Sequence, residues 1–259
     1  MRYAFMRSIL CLLCLCSSST WLLAQTSEII RSSRPGQSFT PYTVGSNVFQ
    51  IQSGLNINGF EVSNEEDGSG LFFLALGRFG ITETIEVRTE FQLANNKATF
   101  IDQEETSSGL SAWTVGVRFN ILNPEDVRKP ALGFQVDLNL NVASEDFKSD
   151  HIAPKLLLLH SQALSNRLGL TTNWGILWNG NDATPRGLYT FALTYALDDK
   201  WSLLLENYGE VEDGDFDSRF DTGIGYLLNS DLQLDLGAGY GRNDGVSDYF
   251  FDFGVSARF

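Results

Sequence analysis

Three groups of residues in this chain have the types and spacing for chemistry: two histidines, a run of alternating aspartates, and ionic side chains set two positions apart. A serine beside a histidine can cleave or transfer an ester when the imidazole takes the hydroxyl proton. His160 and Ser161 are neighbours, but their segment reads as a β-strand, where neighbours point to opposite faces. They cannot form a dyad within that strand. His151 stands beside Asp150 in a polar connection, with no serine nearby to serve as nucleophile. Both read as ordinary histidines, one in a loop and one in a wall, and no residue is assigned a catalytic role.

The stretch Glu210-Val211-Glu212-Asp213-Gly214-Asp215-Phe216-Asp217 spaces Asp213, Asp215 and Asp217 like the first half of a calcium loop. Ser218 stands where a glycine should follow, and Ile224 where the closing acid should be. A solvated acidic loop is the simpler reading; a weak divalent site bridging lipopolysaccharide phosphates is the alternative. No cofactor is implied.

The ionic set is Arg78, Glu86, Arg88, Glu90, Arg118, Asp137, Asp221, Asp235, Asp252 and Arg258. Each lies in a segment where polar and apolar residues alternate. Paired across neighbouring strands, these groups would stiffen a wall; lining an open passage, they would select solutes. Because acids outnumber arginines here, such a passage should prefer cations or neutral solutes to anions.

What must position them is a series of about twelve alternating segments: 48–59, 71–80, 84–93, 111–120, 131–142, 152–164, 167–178, 188–197, 201–209, 220–228, 232–241 and 249–259. The last puts Tyr249, Phe251, Phe253, Val255, Ala257 and Phe259 on one face, with Asp252, Gly254, Ser256 and Arg258 on the other. Segment 152–164 is the weakest, since Leu156 to Leu159 is apolar on both faces and Pro154 cannot donate to a ladder. Short connections (80–83, 165–166, 198–200, 229–231, with 122–130 longer) alternate with long ones at 61–69, 94–109, 143–151, 179–186, 210–218 and 242–248. About ten residues at about 3.3 Å each, tilted by about 40°, rise about 25 Å, the height of an outer membrane's apolar band.

Alternation alone does not say which face looks outward. On the apolar face, Trp113, Trp178, Tyr189, Tyr240 and Tyr249 gather at one end of the segments and Phe49, Phe79, Phe119, Tyr195, Trp201, Tyr226 and Phe259 at the other. Two aromatic girdles flanking an aliphatic middle are the pattern of a wall facing lipid. The expected fold is therefore all-β: a transmembrane antiparallel barrel of about twelve strands spanning residues 47–259, in the cell outer membrane with both termini periplasmic. Its partners would be outer-membrane lipid and lipopolysaccharide, small solutes, and the barrel assembly machinery acting on the strand that ends at Phe259.

Residues 1–24 have a basic start (Arg2, Arg7), an apolar middle and Ala24 before the expected cut, as a secretory signal does. All three cysteines, Cys11, Cys14 and Cys16, fall within it, so the exported product would have no disulfide. Without Arg2 and Arg7 the charge is 16 − 32 = −16, which disfavours nucleic acid. Residues 25–46 carry Arg31 and Arg34 and precede the first strand; charge complementarity would let this segment fold into an acidic lumen as a plug.

The run Arg34-Pro35-Gly36-Gln37 leading to Phe49-Gln50-Ile51-Gln52-Ser53-Gly54 resembles the opening of a family of bacterial outer-membrane barrels described as transporters or as meta-pathway phenol-degradation proteins. Further matches are Arg78-Phe79-Gly80-Ile81-Thr82 with Ile85-Glu86-Val87-Arg88, and Asp199-Lys200-Trp201-Ser202-Leu203 with Glu206-Asn207-Tyr208-Gly209. Ser33 stands where the family often has Asp, and Asn207 where it has a second tyrosine. The resemblance implies barrel architecture and transport as a class, and no particular substrate. A lipid-modifying enzyme at the barrel rim and a closed structural or adhesive barrel are the alternatives.

Overall fold

The computed structural model describes residues 28–63, 66–100, 103–243 and 246–259. The proposed signal at 1–24 lies outside them. Twelve antiparallel strands close into one barrel, each paired with its neighbours in sequence and β12 paired with β1. They are β1 (Phe49–Ser63), β2 (Glu66–Gly80), β3 (Ile85–Phe100), β4 (Gln103–Leu122), β5 (Ala131–Asn139), β6 (Ala153–Ala163), β7 (Leu168–Leu177), β8 (Arg186–Ala196), β9 (Trp201–Glu212), β10 (Asp215–Asn229), β11 (Leu232–Asn243) and β12 (Val246–Arg258). Among the described residues no helix is long and apolar enough to cross a membrane.

Closure is sealed at the last residue. Phe49 N–H donates to the Phe259 carbonyl at 3.2 Å, Phe259 N–H donates back at 2.8 Å, and the two rings stack with centroids 6.2 Å apart. From there the register runs unbroken from Gln50 opposite Arg258 to Glu61 opposite Ser247.

The wall is apolar outside and polar inside. Leu236, Phe251 and Phe253 are about half exposed, whereas Gln52, Glu86, Gln135 and Ser256 on the inward face are fully buried. No globular core would be arranged this way, because burying ionised side chains is costly unless they are paired. The exposed rings Phe49, Phe79, Phe119, Tyr195, Trp201 and Phe259 ring the end that carries the short turns and the C-terminus, the near end. Tyr240 and Tyr249 are exposed toward the far end.

Four of the connections read as loops are strand. β1 and β2 extend through most of 61–69, β3 and β4 through most of 94–109, β9 and β10 through most of 210–218, and β11 and β12 through most of 242–248. Beyond the lipid both faces of a strand meet water, so the alternation fades while the backbone ladder continues. Asn95 to Phe100 still pairs with Ser108 to Gln103, and Lys97 bridges to Glu104 at 2.7 Å. The opposite correction applies to 131–142, which stops at Asn139: Leu140 N–H and Ser144 N–H turn to carbonyls of β4, and β6 parts from this chain.

Segment 152–164 is strand β6. Pro154 sits near its far end opposite Leu138, where its carbonyl accepts from Trp178 N–H at 3.0 Å and the absent N–H breaks little of the ladder. Its doubly apolar run places Leu158 outward and Leu157 and Leu159, both buried, inward.

Candidate functional site

The inward face of this barrel is filled on its near side by the chain's own residues 30–47. Ile30 N–H donates to the Ser230 carbonyl at the β10–β11 turn, and Asn47 N–H to the Gly80 carbonyl at the end of β2. Between these anchors the segment rises through the interior. Ser33 Oγ donates to Gln52 Oε1 at 2.7 Å, Phe39 exchanges two backbone bonds with the Asn173 amide at 2.7 and 2.8 Å, and Asn120 Nδ2 donates to the Pro41 carbonyl at 3.1 Å.

Inner-face glycines make room for it. A methyl group on Gly54 or Gly254 would overlap the Arg34 guanidinium, and one on Gly223 would overlap Pro35. With no side chain of their own, these positions form the segment's seat.

The ionic groups separate into two walls. On β2 to β6, Arg78 holds Glu86 through two hydrogen bonds of 2.8 Å, and Arg118 lies 3.7 Å from the same carboxylate. Arg88 reaches Asp137 at 3.5 Å and Glu90 at 3.7 Å, while Lys155 reaches Asp137 at 3.5 Å. Gln135 knits the group, its Oε1 accepting from Arg88 at 2.9 Å and from Arg118 at 2.8 and 2.7 Å. Apolar substitutes could fill the same volume, but losing one partner would strand a buried charge.

On β9 to β12 stand Glu206, Asp221, Asp235 and Asp252, all buried. The pairing of Asp221, Asp235 and Asp252 with Arg78, Arg88 or Arg118 that adjacency of sign suggested does not occur, since the arginines lie on β2 to β4 and the acids on β10 to β12. The segment supplies partners to Asp235 and Asp252 instead, while Asp221 faces Glu206 across the ladder. Arg34 Nη2 sits 3.1 Å from Asp235 and 2.8 Å from Asp252. Gln37 N–H donates to Glu206 at 2.6 Å, and the Ser38 hydroxyl donates to the same carboxylate. Arg258, opposite the buried Gln50 on β1, pairs at the near end with Asp231 of the β10–β11 turn, its Nε donating at 2.7 Å. Arg31 turns its guanidinium over the Tyr42 ring, 4.0 Å from the centroid.

Sequence reasoning assigned no role to Glu206, Lys155, Gln135, Asn173 or the two faces of Phe39. The first four lie on the inward parity of strands whose outward neighbours are Leu203 and Leu205, Leu156 and Leu158, Phe134 and Val136, or Trp174. Parity alone could have found them. The Phe39 site could not be found so, because the segment has no period.

Above Phe39, toward the far end, the lumen holds a cavity of about 670 Å³. Phe39, Phe60, Phe72, Leu74, Leu157 and Leu188 line it together with polar groups such as Gln92 and Lys155. Arg34, Gln52, Asn56, Glu90 and Asp252 line it too, so polar and charged groups outnumber the apolar ones.

The remaining candidates do not assemble. Asp213 and Gly214 form the β9–β10 turn with φ of 51° and 96°, and Asp217 pairs with Arg219, which also takes Asp248 at 2.9 Å. Among the described residues no three His, Cys, Asp or Glu side chains converge as a metal site. His160 Nδ1 meets Thr172 Oγ1 at 3.2 Å while Ser161 meets Thr171 at 3.4 Å, so the two side chains leave β6 on opposite faces. His151 is held in the connection before β6, its N–H on the Gly180 carbonyl.

Comparison with solved structures places the fold. An outer-membrane channel from Pseudomonas putida F1 superposes with a TM-score of 0.66 at 12% identity, covering 88% of this chain and 100% of that one. The KdgM porin in complex with disordered oligogalacturonate follows at 0.54 and 10%, covering 80% and 99%. The translocator domain of the autotransporter NalP from Neisseria meningitidis gives 0.51 and 14%, covering 83% and 89%. No curated protein matches the chain significantly. The architecture is that of outer-membrane barrels, and the outward apolar belt suits that membrane. Residues 32–259 match the family model described as Putative MetA-pathway of phenol degradation, and the chain belongs to that family.

Proposed function

We propose that this protein is a passive outer-membrane channel for small solutes, with residues 25–46 acting as a plug that narrows its near end. The observation that carries this reading is the lumen itself: a cavity of about 670 Å³ toward the far end, floored by a segment that is bonded to the wall by side chains and by a backbone anchor at each end, and can leave without unpairing any strand. Residues 1–24 act as the export signal, both termini face the periplasm, and the far end opens to the exterior. Lipid and lipopolysaccharide surround the belt, and the strand ending at Phe259 is what the barrel assembly machinery would engage.

Transport is the class of the P. putida channel and of the KdgM porin by name. Ion flow should prefer cations, because Glu206, Asp221, Asp235 and Asp252 stand on one wall and Arg34 reaches two of them, Asp235 and Asp252. Proteoliposome swelling with neutral and charged solutes of graded size tests the reading. Swelling with small neutral or cationic solutes is expected; no swelling with any solute, in intact and segment-deleted protein alike, would favour a closed structural barrel.

A further inference from the structure

The segment presents two chemical groups to the cationic wall. The Phe39 ring lies 4.6 Å from the Arg88 guanidinium carbon, 5.4 Å from that of Arg118 and 6.0 Å from Lys155 Nζ. The Tyr42 carbonyl oxygen accepts from Arg78 Nη2 at 3.1 Å and from Arg118 Nη1 at 3.3 Å. Arg118 thus touches both, a π face on one side and an oxygen acceptor on the other. Three cations around one ring exceed what a packing phenylalanine requires, since each such contact contributes only when the cation is held over or beside the ring.

The wall also has charge to spare. Arg78, Arg88, Arg118 and Lys155 stand against Glu86, Glu90 and Asp137. When the segment withdraws, Arg78 and Arg118 lose the Tyr42 oxygen, and the cationic surface loses its ring. Phe39 and Lys155 both border the far-end cavity, so a solute entering there reaches this surface first.

We infer that Phe39 and the Tyr42 carbonyl occupy a binding site for an aromatic carboxylate, the ring taking the place of Phe39 and the carboxylate that of the carbonyl oxygen. Guanidinium groups that bind a neutral carbonyl bind a carboxylate more strongly, because the hydrogen bonds become charge-assisted on both sides. An aromatic acid therefore competes with the segment for its own seat, and its binding favours the withdrawn segment. The overall cation preference of ion flow is unaffected, since the acids that set it lie on the opposite wall. The inference rests on the channel reading only for the direction from which the solute arrives.

Calorimetric titration of the detergent-purified protein tests it with three probes: benzoate, cyclohexanecarboxylate, which keeps the charge and lacks the π face, and benzyl alcohol, which keeps the ring and lacks the charge. Benzoate should bind at least about tenfold more tightly than either analogue. Phe39→Ala removes the competitor and should tighten benzoate by about tenfold, and Phe39→Leu, which keeps apolar volume, should move affinity the same way. Lys155→Gln in the Phe39→Ala background should weaken benzoate and leave benzyl alcohol unchanged. Equal affinity for the three probes, or no gain from either Phe39 variant in protein that still shows a heat-modifiable band, overturns the inference. Binding in detergent needs no flux, so a failure here is separate from a failure to swell liposomes.

Discussion

Glu206 on β9 and Asp221 on β10 stand directly opposite each other across the ladder, two buried carboxyl groups with no wall arginine between them. Like charges facing across a sheet are destabilising unless something else satisfies them. What reaches Glu206 is the Gln37 N–H and the Ser38 hydroxyl of the lumenal segment. The barrel wall is electrostatically incomplete on this side, and the segment supplies partners to Glu206, Asp235 and Asp252.

Arg34→Gln should loosen the segment. It leaves Asp235 and Asp252 without their cation, and stranding a buried charge in this way costs about 3–5 kcal/mol in general. A several-fold rise in bilayer conductance is expected, with the heat-modifiable band retained. Arg34→Lys should restore part of the block, because a point charge still reaches one carboxylate.

Gly254→Val attacks the same contact from the wall. The added side chain takes the space of the Arg34 guanidinium while Gly254 stays in its pairing with Gly54. Conductance should rise as it does for Arg34→Gln, and the double variant should add little, since both changes remove one interaction.

The lipid-facing and lumen-facing surfaces should respond differently to charge. Leu236→Arg puts a cation on the belt and should cost about 2–4 kcal/mol of folding stability near the bilayer centre. Gln92→Arg, which lines the far-end cavity, should leave stability nearly unchanged and shift ion preference toward anions. Folding titrations in urea and reversal potentials separate the two effects.

Asp231 links the near-end turn to Arg258, whose hydrogen bond holds the Asp231 carboxyl below the usual aspartate range. A lowered carboxyl contributes stability above its unfolded pKa and loses it as pH falls through the folded one. Asp231→Asn should therefore lower the thermal midpoint slightly at neutral pH, and the difference from the parent should begin to fade below the ordinary aspartate value of about 3.9 and vanish once the pH lies below the depressed folded value.

The belt was legible in sequence because lipid outside and a polar lumen inside give every strand a period of two. All twelve strands were marked by residues such as Val136, Leu234 and Phe253 facing one way with Gln135, Asp235 and Asp252 facing the other. The extensions beyond the lipid, such as Asn95 to Phe100, were not, because water on both faces erases the period. The pairing of Arg78 with Glu86 could be anticipated from adjacent strands. That Asp235 and Asp252 would wait for Arg34, some two hundred positions earlier, could be proposed only from charge, and the role of Gly54 and Gly254 as its seat not at all, since a glycine marks absence of volume without naming what fills it. Parity assigned Arg258 its face but not its height along the barrel, where it meets Asp231.

The central claim is that the interior is a solute path narrowed by the chain's own residues 30–47. Single-channel recording in planar bilayers, comparing the intact protein with one lacking residues 28–46, tests it most directly. The account predicts small, cation-preferring conductance for the intact protein and a step several-fold larger and more strongly cation-preferring once the segment and Arg34 are gone. Equal conductance with and without the segment, or a shift toward anions on its removal, would contradict it.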